Sequence, residues 1–220
     1  VLNDPIEIDV EAPRSEKAKI HQWIHLADDK EHKFALLCHL LRQEDVKRTI
    51  VFVKTRDIVS SLEGQLLKVG IACAFMRGDM EQKKRFQALS RFTKGEVNVL
   101  LATDVAARGI DIDDITHVIN FDMPRSADTY IHRIGRTGRA GAKGTAISLA
   151  EAHDMRIVGK IERYIEQPLK RRVIEELRPK NKEARTPGKK KAKVKAKEAA
   201  KKTSKKEAAK KASKIARKKK

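Results

Sequence analysis

Thr49-Ile-Val-Phe-Val53 opens the passage that decides the fold. Lys54-Thr-Arg56 follows it, then a segment from Asp57 to Leu67, then Gly70, then Ile71-Ala-Cys-Ala-Phe75. The two outer pieces are short apolar runs bounded by polar residues, the pattern of strands buried on both faces. The middle piece carries Ile58, Leu62 and Leu66 four apart, on one side of a helix, and Gly70 supplies its stop. Strand, helix, strand at this spacing predicts a parallel pair joined by a helical crossover.

The pattern continues in both directions. Met80–Lys94 predicts a helix with Phe86, Leu89 and Phe92 on one side and Gly95 as its end. Val97-Asn-Val-Leu-Leu101, Thr116-His-Val-Ile-Asn120 and Gly144-Thr-Ala-Ile-Ser-Leu149 predict further strands, and His153–Ile165 a final core helix. Upstream, Ile6–Val10 and Ile20–Leu26 suit strands and Lys30–Leu41 a helix. Repeated βαβ units imply an α/β fold, a mainly parallel sheet with helices on both faces. In such sheets chemistry collects at the loops beyond the strands' carboxyl ends, and the informative residues are expected there.

Charge divides the chain. Of a net +20, the segment from Lys180 to Lys220 holds 20 Lys/Arg against 3 Asp/Glu, a net of +17; the rest is nearly balanced. That segment is Lys, Ala and Glu with almost no large apolar residue, so it buries too little to offset its ordering entropy and is expected to be disordered alone. A polycation of this kind points to a polyanionic partner. It lacks the aromatic or leucine face of a membrane-surface helix. No apolar run approaches the 18 residues of a membrane span, and no secretory segment is present. Cys38 and Cys73 have no metal-ligand spacing and read as reduced core residues of a cytoplasmic protein. Val1-Leu-Asn-Asp-Pro5 reads as the middle of a longer chain.

The densest chemical signal is His132-Arg-Ile-Gly-Arg-Thr-Gly-Arg-Ala-Gly141. Its interleaved arginines and glycines let always-charged, fork-shaped donors converge where backbone approaches a ligand closely. A second lies directly after the strand ending at Leu101: Ala102-Thr-Asp-Val-Ala-Ala-Arg-Gly-Ile-Asp111. Weaker companions occur in order along the chain: Ile50-Val-Phe-Val-Lys-Thr-Arg56, Arg77-Gly-Asp79, and Gln82 with Arg85 at the head of a helix.

These stretches resemble, in order, motifs IV, V and VI and the accessory RNA-contact motifs of superfamily-two helicases in their DEAD-box form. The resemblance covers roughly residues 15–178. Lys19-Ile-His-Gln-Trp23, Ala27-Asp-Asp29, Glu151-Ala-His-Asp154 and Val173-Ile-Glu-Glu-Leu-Arg-Pro179 further resemble the SrmB-type bacterial helicases of large-subunit ribosome assembly. The resemblance implies a RecA-like, P-loop NTPase-like three-layer lobe, the second of two. Residues 1–14 would be the linker from an N-terminal lobe, 15–178 the helicase C-terminal domain and 179–220 an RNA-binding tail.

By resemblance, Arg136 and Arg139 are arginine fingers that reach the nucleotide's γ-phosphate, and His132 couples that site to RNA. Gly109 and Asp111 would border the nucleotide, with Asp111 accepting from a ribose hydroxyl. Lys54, Thr55, Arg56, Gly78, Gln82, Arg85 and Thr103 are expected to face RNA. Asp104 and Arg108 are grouped with them and also tie motif V to motif VI and to the other lobe. Arg133 receives no role. Trp23 reads as an aromatic packed at the domain edge in preference to a base-stacking platform.

No phosphate loop, Asp-Glu-Ala-Asp or Ser-Ala-Thr occurs. In the family that this chain resembles those elements belong to the first lobe, so the resemblance implies that ATP and Mg2+ are held mainly by the N-terminal lobe and that this chain alone is inactive. The expected function is ATP-dependent unwinding of short RNA duplexes. Expected partners are RNA, ribosomal RNA above all, the N-terminal lobe in cis and ribosomal proteins, with no metal site on this lobe. Two other readings stand beside it: a DNA helicase lobe, opposed by His132, and a non-catalytic RNA-binding scaffold, opposed by the intact Arg136, Arg139 and Asp111.

Overall fold

The computed structural model describes residues 20–107, 112, 114–139 and 142–180. Within them, seven strands form one sheet: β1 (Ile20–Leu26), β2 (Thr49–Phe52), β3 (Cys73–Met76), β4 (Val99–Ala102), β5 (His117–Asn120), β6 (Gly144–Ala150) and β7 (Lys170–Arg171). Their order is β3-β4-β2-β5-β6-β1-β7, and every pairing is parallel. Five helices cover it: α1 (Lys30–Leu41), α2 (Arg56–Lys68), α3 (Gln82–Thr93), α4 (Ala127–Ile134) and α5 (Met155–Tyr164).

Strand alternation sorts the core into layers. Val51, Leu101, Ile119, Ile147 and Leu149 point to one face, where Leu36, Leu37 and Leu40 of α1 and Val59, Leu62 and Leu66 of α2 pack on them. Ile50, Phe52, Leu100 and Val118 point to the other, under Phe92 and Ala88 of α3. Ile24, Ala146 and Ala150 extend that second face under Tyr130 and Ile134 of α4 and Val158 and Ile161 of α5. The central strands β2, β4 and β5 are buried at every residue, which is why their middle residues read as apolar on both faces rather than alternating.

Three helices start on side chains that accept a main-chain N–H: Asp29 from His32 at 2.8 Å, Thr55 from Ile58 at 3.3 Å and Ser126 from Thr129 at 3.2 Å. α2 ends at Gly70, whose φ of 78° suits the residue after a helix.

The expected helix at 30–41 and strand at 20–26 lie where the pattern put them, while the strand expected at Ile6–Val10 falls outside the described residues. Two expectations change. Phe86, read as core, is 70% exposed; the buried side of α3 runs through Ala88 and Phe92 instead. The segment read as one helix from His153 is a 3-10 turn (Ala152–Asp154), closed by reciprocal Glu151 and Asp154 capping, followed by α5. α4 was not apparent from periodicity. Its buried face is Tyr130, Arg133 and Ile134, so a charged residue occupies one core position and breaks the apolar stripe. Cys38 is buried, Cys73 half-buried, and both are free thiols.

Candidate nucleotide and RNA site

Since β3, β4 and β2 are neighbours, the loops leaving their carboxyl ends meet. Arg56, after β2, lies 3.5 Å from Asp79, after β3; Arg77 reaches the same carboxylate at 3.3 Å and donates to Ser60 Oγ at 2.9 Å. Gly78 has no side chain where Val105, on the loop after β4, comes to within 3.4 Å of an ideal Cβ. Arg85 of α3 donates from Nη2 to the Ala106 carbonyl at 3.1 Å, fixing the helix to that loop. Thr103 is 9% exposed, and its carbonyl accepts from Ala107 N–H at 3.0 Å, turning the loop. Arg56, Gly78 and Arg85 therefore sit on loops and a helix head that touch one another at this edge; Lys54, Gln82, Thr103 and Asp104 belong to the same loops and helix head by chain position. Thr55 does too, but its hydroxyl oxygen is engaged as the α2 cap.

Behind this surface lies a residue that sequence reasoning left without a role. Arg133 is 3% exposed. Its Nε and Nη2 donate to the two carboxylate oxygens of Asp104 at 2.6 and 3.0 Å. Nη1 donates to Asn120 Oδ1 at 3.0 Å and to the Asp122 carbonyl at 2.7 Å. The guanidinium sits 5.0 Å from the Phe52 ring centroid. A two-pronged Arg–carboxylate pair is among the strongest charge-assisted arrangements. Asp104, expected to help bind RNA and to tie motif V to motif VI, spends both oxygens on the tie. The signal for Arg133 was present: Tyr130, Arg133, Ile134 and Thr137 follow the three-and-four spacing of a buried helix stripe.

Beyond Arg133 the chain leaves the carboxyl edge. α4 runs antiparallel to the strands, and the turn after it rests on their amino ends. Thr137, 2% exposed, donates its hydroxyl to the carbonyls of Ile115 and Thr116, just before β5, the latter at 3.1 Å. Gly138, at φ 72°, packs on Ile20 at the start of β1, where a Cβ would come within 2.8 Å of Cγ1. Gly144, the first residue of β6, is pressed closer still: a Cβ there would lie 2.5 Å from the Gly138 nitrogen and 2.6 Å from Thr137 Oγ1. Arg136 and Arg139 flank this turn, and each donates Nε to the carbonyl four residues earlier, His132 at 3.3 Å and Gly135 at 3.0 Å. His132 is exposed in the last turn of α4. The expectation that all informative residues gather beyond the carboxyl ends of the strands is therefore corrected. The finger candidates lie at the opposite edge, because α4 carries the chain back along the sheet.

Arg108, Gly109 and Asp111 lie outside the described residues, as do residues 1–19 and the basic segment from Asn181 onward. Trp23 packs partly buried against the core, with the Arg172 guanidinium 3.8 Å from its ring centroid. Sequence reasoning also gave no role to Lys33, Asn120 and Asp122. Lys33 occupies a core position of α1 at 2% exposure, and Asn120, at 0%, donates Nδ2 to Ser148 Oγ at 3.1 Å. Among the described residues no helix is long and apolar enough to cross a membrane.

A family model described as the helicase conserved C-terminal domain matches residues 32–141. The Escherichia coli ATP-dependent RNA helicase SrmB is 59% identical over 182 residues, covering 83% of this chain and 41% of that protein. SrmB of Haemophilus influenzae is 52% identical over 182 residues, 83% of this chain and 42% of its own length. The crystal structure of E. coli DEAD-box protein SrmB bound to regulator of ribonuclease activity A matches with a TM-score of 0.73 at 62% identity, over 74% of this chain and 96% of that one. S. cerevisiae Dbp5 bound to RNA and ADP BeF3 matches with a TM-score of 0.64 at 32% identity, over 69% and 41%. The seven-stranded parallel sheet is thus the RecA-like fold of a helicase C-terminal lobe. The chain belongs to the DEAD-box family of ATP-dependent RNA helicases. It spans about two fifths of the length of its SrmB relatives.

Proposed function

We propose that this chain is the second motor lobe of an ATP-dependent RNA helicase that separates short RNA duplexes in assembly of the large ribosomal subunit. The observation that supports it is the Arg133 clamp. By bonding Asp104, Asn120 and the Asp122 carbonyl at once, Arg133 fixes α4 to the loops after β4 and β5. That connects the surface of Lys54, Arg56, Gln82 and Arg85 to the turn bearing Arg136 and Arg139.

In this reading, RNA lies on the carboxyl-edge surface. Contacts to phosphates and 2′-hydroxyls carry little sequence preference. ATP sits between this lobe and an N-terminal lobe in cis. As the lobes close, the guanidinium groups of Arg136 and Arg139 meet the γ-phosphate and stabilise the charge spread over its oxygens during transfer to water. His132, one turn before Arg136, links the two ligands, and Asp111 and Gly109 border the nucleotide. Among the described residues no group of three or more His, Cys, Asp and Glu side chains is placed to hold a metal ion. In this reading magnesium belongs to the N-terminal lobe. Without that lobe the chain would not turn over ATP. The basic segment would anchor the motor on ribosomal RNA in the cytoplasm.

Arg139→Ala in the full-length protein tests the finger assignment. An arginine finger is worth roughly 10³–10⁵ in rate, so RNA-stimulated ATP hydrolysis and unwinding should both vanish while the lobe keeps its thermal midpoint. ATP hydrolysis near the wild-type rate would overturn the assignment.

A further inference from the structure

Lys33 is a charge in a place built for a hydrocarbon. It shares the inward stripe of α1 with Leu36, Leu37 and Leu40 and is 2% exposed. An ammonium group there is tolerated only when carboxylates and hydrogen bonds replace its water. Its Nζ lies 3.0 Å from Glu151 Oε1, 3.6 Å from Asp154 Oδ2 and 3.9 Å from Asp122 Oδ1, and 5.9 Å from the Phe121 ring centroid. Glu151 and Asp154 alone would neutralise it and join α1 to the start of α5.

The third carboxylate leads elsewhere. Asp122 turns its other oxygen, Oδ2, to the main-chain N–H of Lys54 at 2.9 Å. Its carbonyl accepts from Arg133 at 2.7 Å, and its own N–H donates to the Phe52 carbonyl at 3.2 Å. Lys54 opens the loop that continues through the cap Thr55 to Arg56. One aspartate thus hydrogen-bonds both the loop after β2 and the clamp of α4, and faces a buried lysine from the opposite face of the sheet at ion-pair distance.

We propose that Lys33 and Asp122 are positioning residues for RNA binding. Lys33 holds the Asp122 carboxylate, and that carboxylate sets where the Lys54–Arg56 backbone stands on the RNA-facing edge. The proposal rests on the RNA-side reading above and deepens it by naming what orders that loop. Neither residue touches RNA. A purely structural lysine would affect stability alone, whereas a positioning lysine alters affinity for RNA while leaving turnover at saturating RNA intact.

Two measurements on Lys33→Met separate these cases. In the 220-residue chain, amide hydrogen exchange at Lys54 should accelerate roughly tenfold or more, beyond any global loss of protection. In the full-length helicase, the RNA concentration giving half-maximal ATP hydrolysis should rise roughly tenfold with kcat within about twofold of wild type. Lys33→Arg should recover most of the affinity. Should Lys33→Met fail to fold, Asp122→Ala leaves Lys33 with Glu151 and Asp154 and must show the same two changes. Unchanged exchange at Lys54 overturns the proposal whatever RNA does, and so does faster exchange with unaltered RNA dependence. Arg85→Ala is the control on the underlying reading. If it raises the RNA requirement and Lys33→Met does not, the coupling is wrong. If neither does, the RNA face itself is misassigned and the coupling falls with it.

Discussion

Replacing Arg133 by methionine keeps a long apolar stem against Phe52 and removes the guanidinium. Four hydrogen bonds are lost: two to Asp104, one to Asn120 and one to the Asp122 carbonyl. Asn120 is fully buried, so its Oδ1 cannot recruit water in exchange, and with the Asp122 carbonyl that is worth about 2 kcal/mol. Asp104 behaves differently. Breaking a fully buried pair costs about 3–5 kcal/mol, but the Asp104 side chain is 37% exposed and rehydrates in part, leaving about 1–2 kcal/mol. The expected loss is therefore about 3–4 kcal/mol. For a domain of this size it should lower the urea midpoint by roughly 1–2 M. Trp23, the single tryptophan, reports the transition by fluorescence. Arg133→Lys should fall between, because one ammonium cannot reproduce the fork that spans Asp104 and Asn120. Asp104→Asn should cost less than Arg133→Met. The double variant should be less destabilised than the sum by about 1 kcal/mol or more, since both changes break the same pair. A loss below about 1 kcal/mol at unchanged denaturant slope, or strict additivity with Asp104→Asn, would show that this clamp does not hold α4 to the sheet.

Three other perturbations have defined outcomes. Gly144→Ala drives a methyl group into the Gly138 nitrogen and Thr137 Oγ1; it should cost about 1–3 kcal/mol in urea unfolding and shift the amide resonances of Arg136–Arg139 above all. His25 is 4% exposed, and burial, the largest cause, lowers its pKa from 6.5 to about 4 against the opposing hydrogen bond at the Arg172 backbone. The unfolded chain binds the extra proton below pH 6.5, so this stability is complete above that value and drains as pH falls toward 4. Between pH 7 and 4.5 it amounts to about 2 kcal/mol, which His25→Gln should remove from the pH dependence of unfolding; an unchanged slope would refute it. RNA affinity of the whole chain should decline with salt on a log–log slope of about −0.7 per phosphate neutralised; affinity flat from 50 to 300 mM salt, checked by filter binding, would exclude the polycation as an anchor.

The sheet was legible because its central strands are buried on both faces and so carry consecutive apolar residues at their middles, between segments of helical period. The connectors of the site were less so. Lys33, Asn120, Asp122 and Arg133 are polar residues at core positions, and a hydrophobicity pattern registers each as a gap in a stripe rather than as a member of it. Phe86 errs in the opposite sense, an apolar residue 70% exposed on α3. Local spacing cannot show which side of a helix meets the sheet when the apolar positions span more than one face. The motif residues could be named from sequence, yet their separation between the two edges of the sheet could not, because it depends on the direction of α4.

That direction has a mechanical consequence. Cβ atoms on a helix tilt toward its amino terminus, so Arg133, in the last turn of α4, reaches back toward the carboxyl ends of β4 and β5 to find Asp104 and the Asp122 carbonyl. Three residues later Arg136 already stands by the turn seated on the amino ends of β5, β6 and β1. The helix thus behaves as a short strut with one end in the loops after β4 and β5 and the other between Thr116 and Gly144. The far end is closely packed: Thr137 is bonded to the Ile115 carbonyl, and neither Gly138 nor Gly144 has room for a methyl group. On the proposed function, RNA pressing on the carboxyl-edge loops would therefore be felt at Arg136 and Arg139 as movement of a rigid body, with no change in the helix itself.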